Sequence, residues 1–132
     1  MDEVKIINEY HTVAVVGASS NPDRASHRVA RYLDKYGYPI IPVNPTISEV
    51  LGKICYPDLS SIPEVVEVVN IFRRSEDVMP VVDEAIKIGA RAVWMQEGIV
   101  NEEAAAKARD AGLLVVMDKC MRTERTRLAS GS

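Results

Sequence analysis

The residues best suited to chemistry stand where short apolar runs end, and the first such group is Gly17-Ala18-Ser19-Ser20. It follows the β-branched run 12–16 and leads through Asn21-Pro22-Asp23 to Arg24, where an amphipathic helix pattern begins. A strand that ends in a glycine turn and opens into a helix sets free backbone N–H groups and the helix dipole against an anion, typically a phosphate. A dinucleotide fingerprint would add glycines two and five residues after the first. Those positions hold Ser19 and Pro22, so the turn departs from the pattern used for NAD.

In an open α/β sheet, ligands bind beyond the carboxyl ends of the strands. The later run ends carry Pro42-Val43-Asn44-Pro45, Phe72-Arg73-Arg74, Met95-Gln96-Glu97-Gly98 and Asp118-Lys119-Cys120. Pro42 and Pro45 form a stiff apolar wall for a planar base, with Asn44 offering polar contacts, or else they only terminate a strand. An NAD domain carries Asp or Glu about 20 residues after its glycine turn; here the strand finishes in Asn44. The run ends are rich in arginine and small residues and hold no Ser–His or Cys–His pair, because His11 and His27 lie elsewhere. Asp118 and Glu97 read as local caps or ion-pair partners. No catalytic residue is assigned, and the inventory suits holding a phosphorylated ligand better than transforming one.

The composition excludes several classes. A net charge of −3 gives no reason to expect nucleic acid or an anionic membrane surface. No apolar run approaches the ~20 residues of a membrane span, and Met1-Asp2-Glu3 does not begin a signal peptide. The two cysteines, Cys55 and Cys120, are far apart and read as free thiols of a cytoplasmic protein. With no CxxC and no ligand spacing around the histidines, no metal site is expected.

The elements that must position these residues follow a rhythm of helix, glycine and strand. Gly37, Gly89 and Gly112 each precede a short, nearly continuous apolar run, as helix C-caps followed by strands buried on both faces. With runs 12–16 and 65–72, that makes five strands. Residues 24–36 place Val29, Ala30, Leu33 and Tyr36 on one helical face, and residues 76–88 place Val78, Val81, Val82, Ala85 and Ile88 on another, with Ser75 as N-cap. Residues 102–111 form a third helix capped by Asn101, residues 2–9 a short leading helix, and 46–64 a long connection. The expected fold is α/β, a Rossmann-like, doubly wound, mostly parallel five-stranded sheet with helices on both faces. Its core is Val13, Val15, Ile40, Val43, Val68, Ile71, Val93, Leu114 and Val116. A single domain is expected over 1–132, with its core in 8–128 and a frayed tail at 129–132. Trp94 reads as packing, and the basic run 119–127 as a solvated helix or an interface.

Six motifs in series resemble the small stand-alone CoA-binding domain family, itself similar to the CoA-binding domain of the succinyl-CoA synthetase α subunit. They are the 17–24 turn, Val29-Ala30-Arg31-Tyr32-Leu33, the 38–45 segment, Asn70-Ile71-Phe72-Arg73-Arg74-Ser75, the 93–98 segment and Met117-Asp118-Lys119-Cys120. The resemblance implies non-covalent binding of coenzyme A or an acyl-CoA, without an established reaction, as a carrier, sensor or regulatory module. It implies that Gly17, Ala18, Ser19, Ser20 and Arg24 meet the phosphates. Pro42, Val43, Asn44 and Pro45 would line the adenosine side opposite Phe72 and Arg73, and Gln96 and Gly98 would sit nearer the pantetheine arm. Lys119 stands where the family pattern leads one to expect arginine, which keeps the charge but not the fork. The alternative is a small NAD(P)-binding oxidoreductase. The sequence names no protein partner. A Cβ at Gly17 is expected to disturb the ligand while leaving the sheet behind it largely intact.

Overall fold

Short β-branched runs separated by helices leave one economical solution, parallel strands joined by right-handed crossovers. The structure, a computed structural model, describes residues 2–131. Helix α1 (Asp2–Glu9) leads into strand β1 (Val13–Val16), followed by helix α2 (Ala25–Lys35) and strand β2 (Ile40–Val43). A two-residue hairpin of β3 (Glu49–Val50) and β4 (Lys53–Ile54) comes next, then β5 (Val68–Ile71) and α3 (Val78–Lys87). Strand β6 (Ala92–Met95), α4 (Glu102–Asp110), β7 (Leu114–Val116) and α5 (Met121–Gly131) complete the chain. The main sheet has five parallel strands in the order β2-β1-β5-β6-β7. Strand order reverses between β1 and β5, the crevice where such sheets bind ligands. This is the Rossmann-like α/β fold that the sequence led us to expect.

Two cores lie on opposite faces of the sheet, as the twofold alternation of a strand requires. Ala14, Val16, Val69, Ile71, Val93 and Met95 pack under α3 and α4, whose Val78, Val82, Ala85, Ala104, Ala105 and Ala108 are buried. Val13, Val15, Val68, Ala92, Trp94 and Val116 pack under α1, α2 and α5 with Ile6, Val29, Leu33 and Met121. Asn101 caps α4 as expected, its Oδ1 accepting from the Ala104 N–H at 2.9 Å.

Several expectations are corrected. The 46–64 connection contains the β3–β4 hairpin and a 3-10 turn at Leu59–Ser61. Ser75 does not cap α3: a 3-10 turn at Ser75–Asp77 intervenes, and the Ser75 Oγ accepts from the Val100 N–H at 3.0 Å instead. Helix α2 stops at Lys35, so Tyr36 leaves the helical phase and is 45% exposed. Leu114, on the edge strand β7, is only half-buried. Residues 129–131 continue α5 rather than forming a tail, held by Leu128 against the sheet and by Ser130 Oγ donating to the Thr126 carbonyl at 3.0 Å. Ser132 lies outside the described residues.

One carboxylate fastens the start of the sheet. Glu67 Oε1 accepts from the backbone N–H groups of His11 at 2.9 Å and Thr12 at 3.2 Å, just before β1. The His11 amide bond is the main cause that holds the Glu67 carboxyl below its ordinary range, aided by the Thr12 bond and opposed by partial burial. A depressed folded-state pKa contributes stability above the unfolded value, near 4.3 for Glu, that is lost as pH falls through the folded value. Glu67→Gln should therefore cost about 1 kcal/mol at neutral pH. The difference from wild type should close as denaturation curves are recorded at pH values descending below 4.

Candidate functional site

The crevice at the switch point is built by three backbone segments that meet beyond β1. Gly17, at φ 88°, and Ala18 both direct their N–H groups at the Val43 carbonyl, at 2.9 and 3.2 Å. Those two donors, which the sequence offers to a phosphate, are therefore spent on β2. The free donors come later. Among the described residues, the N–H groups of Ser19, Ser20, Ala25 and Ser26 have no protein acceptor. Arg24 occupies the N-cap of α2 without a side-chain capping bond, leaving the first-turn amides open to an anion. Asn21 stabilises the loop instead: its Oδ1 accepts from the Asp23 N–H at 2.9 Å and its carbonyl from the Arg24 N–H at 3.0 Å.

Gly17, Ala18, Ser19, Arg24, Ala25, Ser26, Phe72 and Arg73 line this groove, which has a volume of about 550 Å³. Ala25, Phe72 and Ile99 also border a second cleft of about 620 Å³ between α2 and α5, so the two adjoin. The second cleft adds Gln96, Cys120, Arg122 and Thr123. Both volumes suit a small-molecule site. Arg24 and Arg73 make no ion pair among the described residues, whereas Arg74 is neutralised by Asp77 at 3.2 Å and Glu76 at 4.0 Å. Two unpaired guanidiniums beside the unpaired amides of Ser19, Ala25 and Ser26 form an environment complementary to phosphate.

The remaining expected residues divide clearly. Gln96 reaches the second cleft and is 4% exposed; its Oε1 accepts from the Met121 N–H at 3.1 Å and so caps α5. Asn44 borders the groove, but its side chain is committed to the protein. Its Nδ2 donates to the Ala18 carbonyl at 2.8 Å, and its Oδ1 accepts from Thr46 N and Oγ1, both at 2.8 Å. Pro42 and Val43 lie buried within β2, paired with Val15 and Val16, and do not face the groove. Pro45, Ser20 and Gly98 are exposed and border neither cleft. Gly98 donates its N–H to Asp118 Oδ1 at 2.7 Å, which makes Asp118 a local cap. Lys119 turns away to Glu3, 3.8 Å distant, while its carbonyl accepts from Trp94 Nε1 at 2.7 Å. A helical register places Arg28, Arg122 and Thr126 in the second cleft, and only the contiguous basic run 119–127 signalled any of them. Burial pushes the Cys55 thiol above its ordinary range, only partly offset by its bond to the Asn44 carbonyl, so it remains a packed thiol.

Comparison with known proteins matches the CoA binding domain family over residues 11–126. The chain belongs to the CoA-binding domain family. An uncharacterized protein of Bacillus subtilis (strain 168), YneT, is 43% identical over 121 residues, covering 91% of this chain and 90% of that protein. The solved structure of a hypothetical protein from Pyrococcus horikoshii OT3 superposes with a TM-score of 0.94 at 44% identity, covering 97% of this chain and 90% of that one. The domain is also related to part of larger enzymes. An ADP-forming acetate–CoA ligase of Archaeoglobus fulgidus is 26% identical over 127 residues, 89% of this chain but only 18% of the ligase. A dinucleotide-forming acetyl-coenzyme A synthetase of Ca. Korarchaeum cryptofilum, solved with phosphate and ADP, gives a TM-score of 0.74 at 30% identity. That match covers 87% of this chain and 27% of the synthetase.

Gly17 carries a structural demand that its sequence context hides. A Cβ there would collide with the Phe72 carbonyl oxygen and lie 3.0 Å from the Phe72 carbonyl carbon, in backbone that cannot swing aside. The sheet behind Gly17 thus does not tolerate substitution, contrary to the expectation from sequence. Gly17→Ala should cost at least ~3 kcal/mol in chemical denaturation, combining positive-φ strain with a backbone clash. Gly98→Ala, at φ 86° with open space around it, should cost only about 1 kcal/mol.

Proposed function

We propose that this protein binds coenzyme A or an acyl-CoA non-covalently across the strand ends and has no reaction of its own. The observation that carries this reading is the groove at the uncapped start of α2, onto which the unpaired amides of Ser19, Ala25 and Ser26 and the unpaired Arg24 and Arg73 open. A pyrophosphate bound there would occupy the positive end of the α2 dipole. The adjoining cleft beyond Phe72, with apolar walls from Val29, Phe72 and Ile99 and polar groups from Gln96 and Thr123, suits an extended arm such as pantetheine. Membership of the CoA-binding domain family supports the same ligand. Nucleotide recognition through Asn44 has less support, since that side chain already holds the turn. The reading as a carrier or sensor rests on the cleft's groups: its only thiol, Cys120, has no histidine beside it in the lining.

The NAD(P) alternative is weaker for a physical reason. Ser19 and Pro22 replace the fingerprint glycines that let a dinucleotide pyrophosphate approach the backbone. No helix among the described residues is long and apolar enough to cross a membrane.

Titration calorimetry of the folded protein with CoA, dephospho-CoA, NAD and ATP tests the proposal. Micromolar CoA binding without a response to NAD is expected, and undetectable CoA binding would sink it. Arg24→Ala and Arg73→Ala each remove a charge-assisted contact of roughly 1.5–3 kcal/mol. CoA affinity should fall about tenfold to a hundredfold, with a smaller penalty at high salt. Affinities within twofold of wild type for both variants would place the phosphates elsewhere.

A further inference from the structure

The outer face shared by α2 and α5 carries a group of side chains that the cleft does not account for. Tyr32 and Tyr36 lie one turn apart with ring centroids 4.6 Å apart and planes tilted by 43°. The Arg125 guanidinium sits 4.4 Å from the Tyr36 centroid and 6.0 Å from that of Tyr32. Arg122 stands 5.4 Å from the Tyr32 ring, and Lys35 Nζ 5.7 Å from the Tyr36 ring. The Tyr32 hydroxyl lies 2.8 Å from Thr126 Oγ1 and accepts from Arg125 Nη1 at 3.3 Å, which fixes the two helices to each other. Burial raises the Tyr32 phenol pKa, but its Thr126 and Arg125 hydrogen bonds and the Arg125 and Arg122 charges outweigh that and lower it. The ring is thus set in a distinctly cationic field.

The charge on this face is unbalanced. A shallow pocket of about 450 Å³ is lined by Arg28, Arg31, Tyr32, Lys35, Tyr36 and Arg122, without a carboxylate. Among the described residues, Arg28, Arg31, Lys35, Arg122 and Arg125 make no ion pair. Of the neighbouring acids, Asp34 pairs with Lys53 and Glu124 with Arg127, while Asp23 offers Arg28 its carbonyl and not its carboxylate. So many like charges gathered in a chain of net charge −3 repel one another unless an external anion answers them. The same face exposes 45% of Tyr36, and rigid tyrosines framed by arginine are the composition of interface centres.

We propose that this α2–α5 face docks an acidic polypeptide segment of a partner protein. Tyr36 is the platform, and Arg31, Lys35, Arg122 and Arg125 receive the carboxylates. The cations of α2 run from Arg28 to Lys35, about 10 Å along the helix axis, which matches roughly three residues of extended chain. That length is short for a groove that tracks a nucleic-acid backbone, and the acidic remainder of the chain repels a long polyanion. Arg28 and Arg122 also border the CoA cleft, so a docked segment would lie against the mouth of that site. The proposal stands whether or not CoA is the ligand.

Fluorescence anisotropy with a labelled hexaglutamate peptide tests it. Wild-type protein should bind at low salt and weaken on raising salt from about 50 to 200 mM. Arg31→Glu and Arg125→Glu lie outside the CoA cleft and should each reduce peptide affinity about fivefold or more, with CoA titration and thermal melting unchanged for Arg31→Glu. Arg109→Glu on α4 serves as the control and should stay within twofold. No binding, an equal loss for Arg109→Glu, or tighter binding of a hexathymidylate than of the peptide would overturn the proposal.

Discussion

The Val43 carbonyl, accepting from both Gly17 and Ala18, is the interaction on which the rest of the site depends. It bends the chain over the end of β2 as soon as β1 finishes, while the Phe72 backbone presses against Gly17 from the β5 side. Clamped between its two neighbours, the turn has no freedom to present its first amides outward. The donors that remain are displaced by one step along the chain, to Ser19, Ser20 and the opening turn of α2. The open donors of the groove are thus what the sheet's own hydrogen bonding leaves over. Asn44 completes the clamp by donating to the Ala18 carbonyl, so its side chain braces the loop that carries the open amides.

Electrostatic pairing divides the surface in a similar way. Lys53, Arg74, Lys107, Lys119 and Arg127 each meet a carboxylate. Arg24 and Arg73 flank the switch-point groove unpaired, and further unpaired cations follow α2 and α5 outward. Exposed pairs contribute little to stability, so their main consequence here is spatial. They cancel the charge of Arg74 and Arg127 even at the clefts, and leave Arg24, Arg73, Arg28 and Arg122 as cations without an ion pair, among the described residues, along the cleft walls.

Much of this was legible from residue types, and the remainder was hidden for identifiable reasons. The apolar runs, the Asn101 cap and the glycine turn after β1 depend on local chemistry, which a sequence displays directly. The β3–β4 hairpin escaped notice because its two-residue strands are too short to show a twofold alternation. Tyr36 falls on the buried face only if the helical period runs one residue past the point where the helix ends. Gly98 and Lys119 sit at strand ends as expected, yet a cap to Asp118 and an ion pair to Glu3 turn them out of the cleft. Strand ends identify a neighbourhood, and only side-chain direction decides which members face its ligand. The contribution of α5 to the cleft was least visible, because it depends on Gln96 capping that helix across the sheet.

The two flanks of the main sheet are closed by different means. On β2, the Pro42 carbonyl accepts from the Tyr56 N–H at 3.0 Å, and the Asn44 N–H donates to the Tyr56 carbonyl at 2.9 Å, while Pro42 itself brings no donor to the row. On β7, the Asp2 carboxylate accepts from the Val115 N–H at 3.3 Å, and α1 packs beside it. An open row of backbone donors and acceptors is a template on which strands from other molecules assemble. Covering part of each row with the Tyr56 backbone, a proline that brings no donor and a carboxylate leaves a strand of another molecule less purchase on either flank.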